Sequence, residues 1–342
     1  MNRSAMKWLW TLAALTACGG GGGGPERPYM ATIEKVAGRV GFYSQDGRRL
    51  GQVKVGAYPH EGVLSADGRL LYVSDNGVLW MTDQSEGGNT ISIVDVDAMK
   101  KVGTIDLGQY RRPHGLALDP STGHLFSTVE NPFGLVMIDT ATRRVLRFFD
   151  VHGDSPHMVI LGPDAQVAYV SDTGTGVVAA IRLDTGETKV IPTGARPQGG
   201  VFSPSGDTLY ITNSDADTIS IIDVDSQKVI GEIATDKHPN RIAVTPDGGT
   251  LVYSMQYGNS VGFADVATRK QTTTVPLGGP PLSLTMARDG QRAFSGVQEQ
   301  DKVFVISVPE RKIIQMIQLP KGSGPDPCIP LGDTRGLSPG TG

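Results

Sequence analysis

The sequence predicts an all-β fold, a seven-bladed β-propeller of four-stranded blades, and three observations support this prediction. A proline-headed unit recurs at intervals of about 41 to 54 residues, which is the length of a propeller blade. Each unit contains short apolar runs in the same order, separated by turns rich in Gly, Asp and Asn. The two ends of the chain supply strands that would complete a seventh blade and close the ring.

The first 18 residues are predicted to be an export signal that is not part of the fold. Arg3 and Lys7 accompany a short apolar run, Trp8–Ala17, which is too short to span a bilayer. The Leu-Thr-Ala-Cys sequence ending at Cys18 resembles the lipobox of bacterial lipoproteins, which implies lipidation of this cysteine. Gly19 is not the aspartate that retains many lipoproteins at the inner membrane, so an outer-membrane anchor is expected. An ordinary secretory signal is the alternative.

Composition limits what the rest of the chain can do. Residues 19–28 are predicted to form a glycine-rich tether, 29–332 the propeller and 333–342 a disordered tail. If Cys18 is lipidated, only Cys328 remains, which excludes an intrachain disulfide, a covalent c-type haem and a cysteine-based zinc site. A net charge of -4 provides no basic field for nucleic acid. Contact with a membrane is expected only through the N-terminal lipid.

One unit shows why each blade is predicted to have four strands. In the fourth unit, Gly199–Phe202 is a short apolar strand, and Thr208–Asn213 follows a tight turn with aromatic and β-branched residues. Thr218–Asp223 alternates apolar with polar residues, and Val229–Ile233 forms the outer edge. The units begin at Pro59, Pro113, Pro156, Pro197, Pro239 and Pro281.

The same short phrases recur between units. Leu71–Asp75 matches Ala168–Asp172, and Ile91–Asp97 is close to Ile219–Asp225. Units of the form Pro-His-Gly-Leu-Ala, Asp-Gly, Tyr-Val-Ser-Asp and Val-Ile-Asp resemble the YVTN β-propeller repeat family. The resemblance covers nearly all of the chain after the signal and implies the fold, but it says little about function, because propellers support many activities.

The seventh blade is expected to combine both chain ends. Tyr29–Ile33, Arg39–Tyr43 and Gln52–Val55 align with the second, third and outer strands of the other units. The inner strand is then Pro325–Leu331, about 44 residues after Pro281. Its prolines make it the weakest strand of the prediction.

Two sets of polar residues are expected to face the central channel. The residues after the unit prolines include three histidines, which suit a metal site, although their rings could instead hydrogen-bond between loops. This set is His60, His114, His157, Gln198, Asn240, Leu282 and, in the seventh blade, Asp326. Residues at the end of the second strands could add oxygen ligands or could cap turns. That set is Asp75, Glu130, Asp172, Asn213, Gln256 and Gln298.

A second resemblance suggests an enzyme. His60-Glu61-Gly62-Val63 is similar to the first metal-ligand segment of gluconolactonase-type propellers, which implies that Glu61 binds the ion. Pro113–Leu116 followed by Glu130 is likewise similar to streptogramin-lyase-type propellers. The asparagine that the lactonase pattern requires is replaced by His114 and His157 in blades 2 and 3.

Two functions from different classes follow. The first is a non-catalytic binding protein of the cell envelope, which presents its top face and central funnel to a small molecule or a protein partner. The second is a lactonase-like hydrolase or lyase, whose cofactor would be a divalent metal ion held by His60, Glu61, His114 and His157. A cofactor-handling role is a third interpretation. A longer loop after Asp75, containing Trp80 and Met81, is expected to act as a lid, a partner contact or rim packing.

Overall fold

The structure, a computed structural model, describes residues 26–80 and 82–332. The predicted signal, the glycine run, Met81 and the predicted tail therefore lie outside the described residues. The described part forms seven antiparallel four-stranded sheets, as predicted. It contains no helix with the length and hydrophobicity needed to cross a membrane.

The strands are numbered in chain order, and each blade is counted from its inner strand outward. The chain enters through β1 to β3, which are Met30–Glu34, Arg39–Tyr43 and Arg49–Lys54. Blade 1 contains β4 to β7, at Pro59–Leu64, Leu70–Asp75, Thr90–Asp95 and Lys100–Asp106. Blade 2 contains β8 to β11, at Arg111–Leu118, His124–Asn131, Phe133–Asp139 and Arg144–Phe149. Blade 3 contains β12 to β15, at Pro156–Leu161, Val167–Asp172, Val177–Arg182 and Thr188–Pro192.

The remaining blades follow the same order. Blade 4 contains β16 to β19, at Pro197–Phe202, Thr208–Asn213, Thr218–Asp223 and Lys228–Ala234. Blade 5 contains β20 to β23, at Pro239–Val244, Thr250–Met255, Ser260–Asp265 and Lys270–Pro276. Blade 6 contains β24 to β27, at Thr285–Met286, Arg292–Val297, Lys302–Ser307 and Lys312–Gln318, with a short 3₁₀ turn at Gln298–Gln300. Blade 7 consists of β28, at Pro325–Pro330, together with β1, β2 and β3.

The first strands of the blades form a closed ring. Each inner strand contacts the inner strands of both neighbouring blades, and β28 of blade 7 contacts β4 of blade 1. This arrangement leaves a channel on the axis, with the beginnings of the inner strands around one mouth. The ring places the residues that follow the unit prolines side by side.

The predicted closure by both chain ends is confirmed. In blade 7, β28 pairs antiparallel with β1, and Thr32 lies opposite Cys328. An inner edge strand tolerates its three prolines because only one of its sides must provide ladder hydrogen bonds. The closure therefore depends on a strand that is far from its partner in sequence, since Thr32 Oγ1 donates to Cys328 Sγ across 296 positions.

The apolar core lies between the blades. Phe42 and Val40 of blade 7 pack with Leu71 and Val73 of blade 1, and equivalent clusters fill the other junctions. The second and third strands are buried on both faces, so even their polar residues, such as Ser74 and Ser92, are buried. Outer strands such as β19 alternate between exposed and buried residues because one face is in water.

Blade 6 departs from the predicted repeat. Its inner strand contains only Thr285 and Met286, and Pro281 makes an isolated bridge to Val297. Positions 280 to 282 are Pro, Pro and Leu, and a proline cannot donate to the ladder. The regular inner strand is therefore delayed by several residues.

Candidate functional site

In blades 2 to 5, a buried hydroxyl of the preceding blade fixes the residue that follows the blade-starting proline. Ser74 Oγ donates to the carbonyl of His114 in the next blade at 2.8 Å and accepts the amide of Glu61 in its own blade at 2.9 Å. Thr128 Oγ1 donates to the carbonyl of His157 at 2.7 Å. The same bond joins Ser171 to Gln198 and Thr212 to Asn240. The Ser or Thr of the second strand therefore holds the channel-facing residues in a fixed register.

The mouth of the channel is an open cavity of about 320 Å³. Its volume is within the range of small-molecule sites. The residues predicted from the positions after the unit prolines all border it, namely His60, His114, His157, Gln198, Asn240, Leu282 and Asp326. The residues that the sequence predicts to face the channel therefore do line this cavity.

The three histidines form a stack of edge-to-face rings. The centroids of His60 and His114 are 4.6 Å apart, and those of His114 and His157 are 4.4 Å apart. All three rings are buried. Burial, together with the nearby charges of Lys35 and Arg241, lowers the pKa of His60 well below its usual value, and burial likewise lowers the pKa of His157. Both rings are neutral at pH 7.

The hydrogen bonds of the stack use both ring nitrogens of His60 and one ring nitrogen of His114. His60 Nε2 lies 3.0 Å from the carbonyl of Val78, and a carbonyl only accepts, so this nitrogen carries the hydrogen. His60 Nδ1 then accepts from His114 Nε2 at 3.2 Å. In the described part of the chain, His157 Nδ1 is buried without a hydrogen-bond partner.

Glu61 does not join these histidines. Its carboxylate accepts a hydrogen bond from Arg241 at 2.5 Å, and Arg241 also donates to Asn240 at 2.9 Å. Glu61 borders a second cavity of about 430 Å³, which Arg241 also borders. Among residues 26–80 and 82–332, no group of three or more His, Cys, Asp or Glu side chains is placed to hold a metal ion. The arrangement gives the predicted metal site no support, because His60 uses both ring nitrogens and the Glu61 carboxylate is paired with Arg241.

A second buried pair lies beside the histidines. Lys35 Nζ is 3.7 Å from the Asp326 carboxylate, and both residues line the mouth of the channel. Burial lowers the pKa of Lys35 and raises the pKa of Asp326, although each charge opposes the shift of the other. Lys35 also lies 5.6 Å from the ring centroid of Trp80, which comes from the long loop of blade 1.

Three of the residues predicted from the ends of the second strands lie away from the mouth. Asp75 accepts from the amide of Gly56 and from the hydroxyls of Thr90 and Ser92, at 2.7 to 2.8 Å. In the same way, the Asp172 carboxylate accepts the amide of Ser155, and the Asn213 amide donates to hydroxyls of Thr218 and Ser220. Asp75, Asp172 and Asn213 support turns and strands inside their blades, and the lining of the mouth does not include them.

The other three residues of that set have different positions. Glu130 has its carboxylate 2.8 Å from Arg112 and 3.5 Å from His114 Nδ1. It also borders a separate side cavity of about 590 Å³, next to the long loop of blade 1. Gln256 lines the mouth, whereas Gln298 begins the 3₁₀ turn of blade 6 and is not part of the lining.

Sequence reasoning missed several residues of the mouth, among them Lys35, Arg196, His238 and Tyr257. Two of them precede a blade-starting proline and have a positive φ: Arg196 at 58° and His238 at 63°. The residue before the proline therefore reaches the mouth in blades 4 and 5, whereas Tyr58 and Arg112, which also have a positive φ, are not part of the lining. Tyr257 is 66% exposed, and its ring centroid lies 4.1 Å from that of His238.

Comparisons with known proteins agree with the fold. Residues 150–318 match the family described as a lactonase, a seven-bladed β-propeller. The uncharacterized protein YncE of Salmonella typhimurium is 27% identical over 64% of this chain, which spans 58% of that protein. YncE of Escherichia coli is 29% identical over 72% of this chain and 65% of its own length. Antigen Lp49 of Leptospira interrogans is 24% identical over 55% of this chain and 42% of its own length.

Solved structures of low identity share the architecture alone. A functionally unknown protein of Desulfotomaculum acetoxidans has a TM-score of 0.74 at 13% identity, covering 89% of this chain and 98% of that one. The dihydro-heme d1 dehydrogenase NirN has a TM-score of 0.66 at 16% identity, covering 91% and 78%. The chain is thus a seven-bladed β-propeller that, over residues 150–318, is similar to the lactonase propeller family.

Proposed function

We propose that this chain is a β-propeller tethered to the cell envelope, which binds a ligand in the mouth of its central channel and does not transform it chemically. The observation that carries the proposal is the open cavity of about 320 Å³, in which buried polar side chains from several blades converge. An unused polar atom supports it, because His157 Nδ1 is buried there without a hydrogen-bond partner among the described residues. A bound ligand would compensate the cost of leaving this atom unpaired.

The geometry favours binding over lactone hydrolysis. A metal-assisted mechanism needs several donors directed at one ion and an open position for water. In this funnel, His60 uses both ring nitrogens and Glu61 is bound to Arg241. The envelope location rests on the sequence at Cys18 and the basic and apolar residues before it.

The test is native mass spectrometry on full-length protein isolated from its own membranes. We expect a small-molecule mass that persists under native conditions and is released on denaturation. Leu282→Trp, which fills the mouth, should abolish this mass while the protein still unfolds in one cooperative transition, and Val190→Trp on an outer strand should leave the mass unchanged.

The same protein should be assayed against a panel of lactones. We expect no turnover that depends on added divalent metal. Metal-dependent turnover that is lost in a His60/His114/His157 triple alanine variant would contradict the proposal and support the enzyme.

A further inference from the structure

We infer that the ligand of the funnel is a small aromatic carboxylate, whose negative charge pairs with Arg196 and whose ring packs on the aromatic side chains of the mouth. This inference rests on the proposed function and specifies the chemical class of the ligand. It is carried by the charges, the aromatic residues and the backbone conformation of the mouth.

The charged side chains that line the mouth favour an anionic ligand. Three cationic side chains line it, Lys35, Arg196 and Arg241, and the only carboxylate in the described lining is Asp326. Lys35 faces Asp326 and Arg241 is paired with Glu61, so these two cations are compensated. One positive charge, on Arg196, remains. A ligand with one negative charge matches this excess better than a phosphate monoester, which carries about two at neutral pH.

Arg196 has a side chain that is available to pair with a ligand. Its side chain makes no hydrogen bond or ion pair with any residue in the described part of the chain, so its planar fork is free for a carboxylate. Its charge nevertheless reaches the site, since it is one of the causes that lower the pKa of His157 and His238, after burial. A free guanidinium next to buried neutral histidines is a site for an anion.

The backbone of Arg196 is held in a left-handed conformation. Its φ of 58° lies in the left-handed region, which costs free energy for a residue with a Cβ. Ser214 maintains the conformation, because its amide and its hydroxyl donate to the Arg196 carbonyl at 3.0 and 3.2 Å. The same conformation precedes the prolines of blades 1, 2 and 5, at Tyr58, Arg112 and His238, so it is a feature of the repeat that gives the Arg196 backbone a defined position at the rim.

Two exposed aromatic side chains line the mouth. Trp80 is 48% exposed and Tyr257 is 66% exposed, although both line the mouth. Each has a polar group on one side, Lys35 for Trp80 and His238 for Tyr257. Large aromatic side chains in water at a cavity mouth favour a planar apolar ligand body.

The test is titration calorimetry of the full-length protein with five probes: benzoate, benzamide, cyclohexanecarboxylate, benzylammonium and phenyl phosphate. Benzoate should bind most tightly. Arg196→Gln should weaken its binding by about 10- to 100-fold, because a charge-assisted hydrogen bond is lost. Arg196→Lys should weaken it less, and Arg144→Gln, an exposed arginine of β11, should leave it unchanged.

Fluorescence locates the binding. The tryptophans are Trp8, Trp10 and Trp80, so a fluorescence change on benzoate binding that disappears in Trp80→Phe reports on the mouth. If benzamide or benzylammonium binds as tightly as benzoate with the same Trp80 signal, the carboxylate inference is wrong and the proposed function stands. If benzoate does not bind, or binds equally well to Arg196→Gln, the inference is also overturned. Loss of the native ligand mass in Leu282→Trp then decides the proposed function separately.

Discussion

His60 Nδ1 lies 3.2 Å from His114 Nε2 at the centre of the channel mouth, and the two rings meet edge to face. The carbonyl of Val78 fixes the proton of His60 on Nε2, so the contact with His114 has a defined direction. The stack is therefore a hydrogen-bonded structural element with one side open to the cavity. The buried and neutral state of His60 and His157 determines how the protein responds to acid.

Acidification from pH 6.5 to 5 should destabilise the protein. The pKa values of His60 and His157 are lowered well below the usual 6.5, so the unfolded chain takes up protons in this range that the folded chain does not bind. Each histidine then lowers the free energy of unfolding by up to about 1.4 kcal/mol per pH unit, a limit approached as the unfolded chain becomes fully protonated. Urea unfolding at a series of pH values measures this slope.

The matched variants are His60→Gln with His157→Gln, and His124→Gln as the control. The double variant should have a flatter profile, with a residual slope from His238, whose pKa burial also lowers. His124 lies at the start of β9, away from the lining of the mouth, and its variant should follow the wild type. A wild-type profile that is flat over this range would contradict the lowered pKa values of His60 and His157.

The Glu61–Arg241 pair should show strong coupling. Both side chains are about 90% buried, and their atoms approach to 2.5 Å. Glu61→Gln or Arg241→Met alone leaves one buried charge without its partner, which costs about 3 to 5 kcal/mol. The double variant should recover most of this loss. Additive losses in a double-mutant cycle would show that the pair does not act as a unit.

Removal of the last inner strand should open the ring. A chain ending at Gly324 lacks β28 and with it the buried Cys328, Ile329 and Leu331. Each of these side chains contributes about 1.5 to 3 kcal/mol by burial, so their sum approaches the whole stability of a domain. We expect loss of the cooperative thermal transition. A chain ending at Gly332 should melt like the wild type, and equal melting of both would contradict closure through β28.

Replacement of Cys18 by alanine should release the protein from the membrane fraction. The lipobox-like sequence before this residue predicts that it carries the only membrane anchor. Cys328→Ala is the control, since Cys328 is buried in blade 7. Fractionation followed by immunoblotting measures the distribution. Retention of Cys18→Ala in the membrane would overturn the lipoprotein assignment.

The fold is predictable from the sequence because each blade repeats one local pattern. Phrases such as Leu71–Asp75 mark a second strand directly, and the prolines mark the inner strands. The role of Ser74 is not predictable, because its hydroxyl acts between blades: it holds the carbonyl of His114, which is 40 positions away. No local pattern indicates such a bond.

The site is predictable only in part. The position after each proline predicts the histidines, since ring geometry brings equivalent positions together. Arg196 and Tyr257 escape prediction because one depends on a positive φ and the other on a loop that turns toward the axis. The residue type of Asp75 suits metal binding in the funnel, but its carboxylate satisfies the Gly56 amide and the hydroxyls of β6. Arg196 and Tyr257 differ from Asp75 in the direction of their side chains, and the local sequence does not encode this direction.

The most direct measurement is a crystal structure of the protein soaked with benzoate, which shows what the mouth of the channel binds. The account predicts a carboxylate against Arg196 and a ring beside Trp80 or Tyr257, with His60, His114 and His157 unchanged. Benzoate bound only outside the mouth, or a metal ion held by the three histidines, would contradict it.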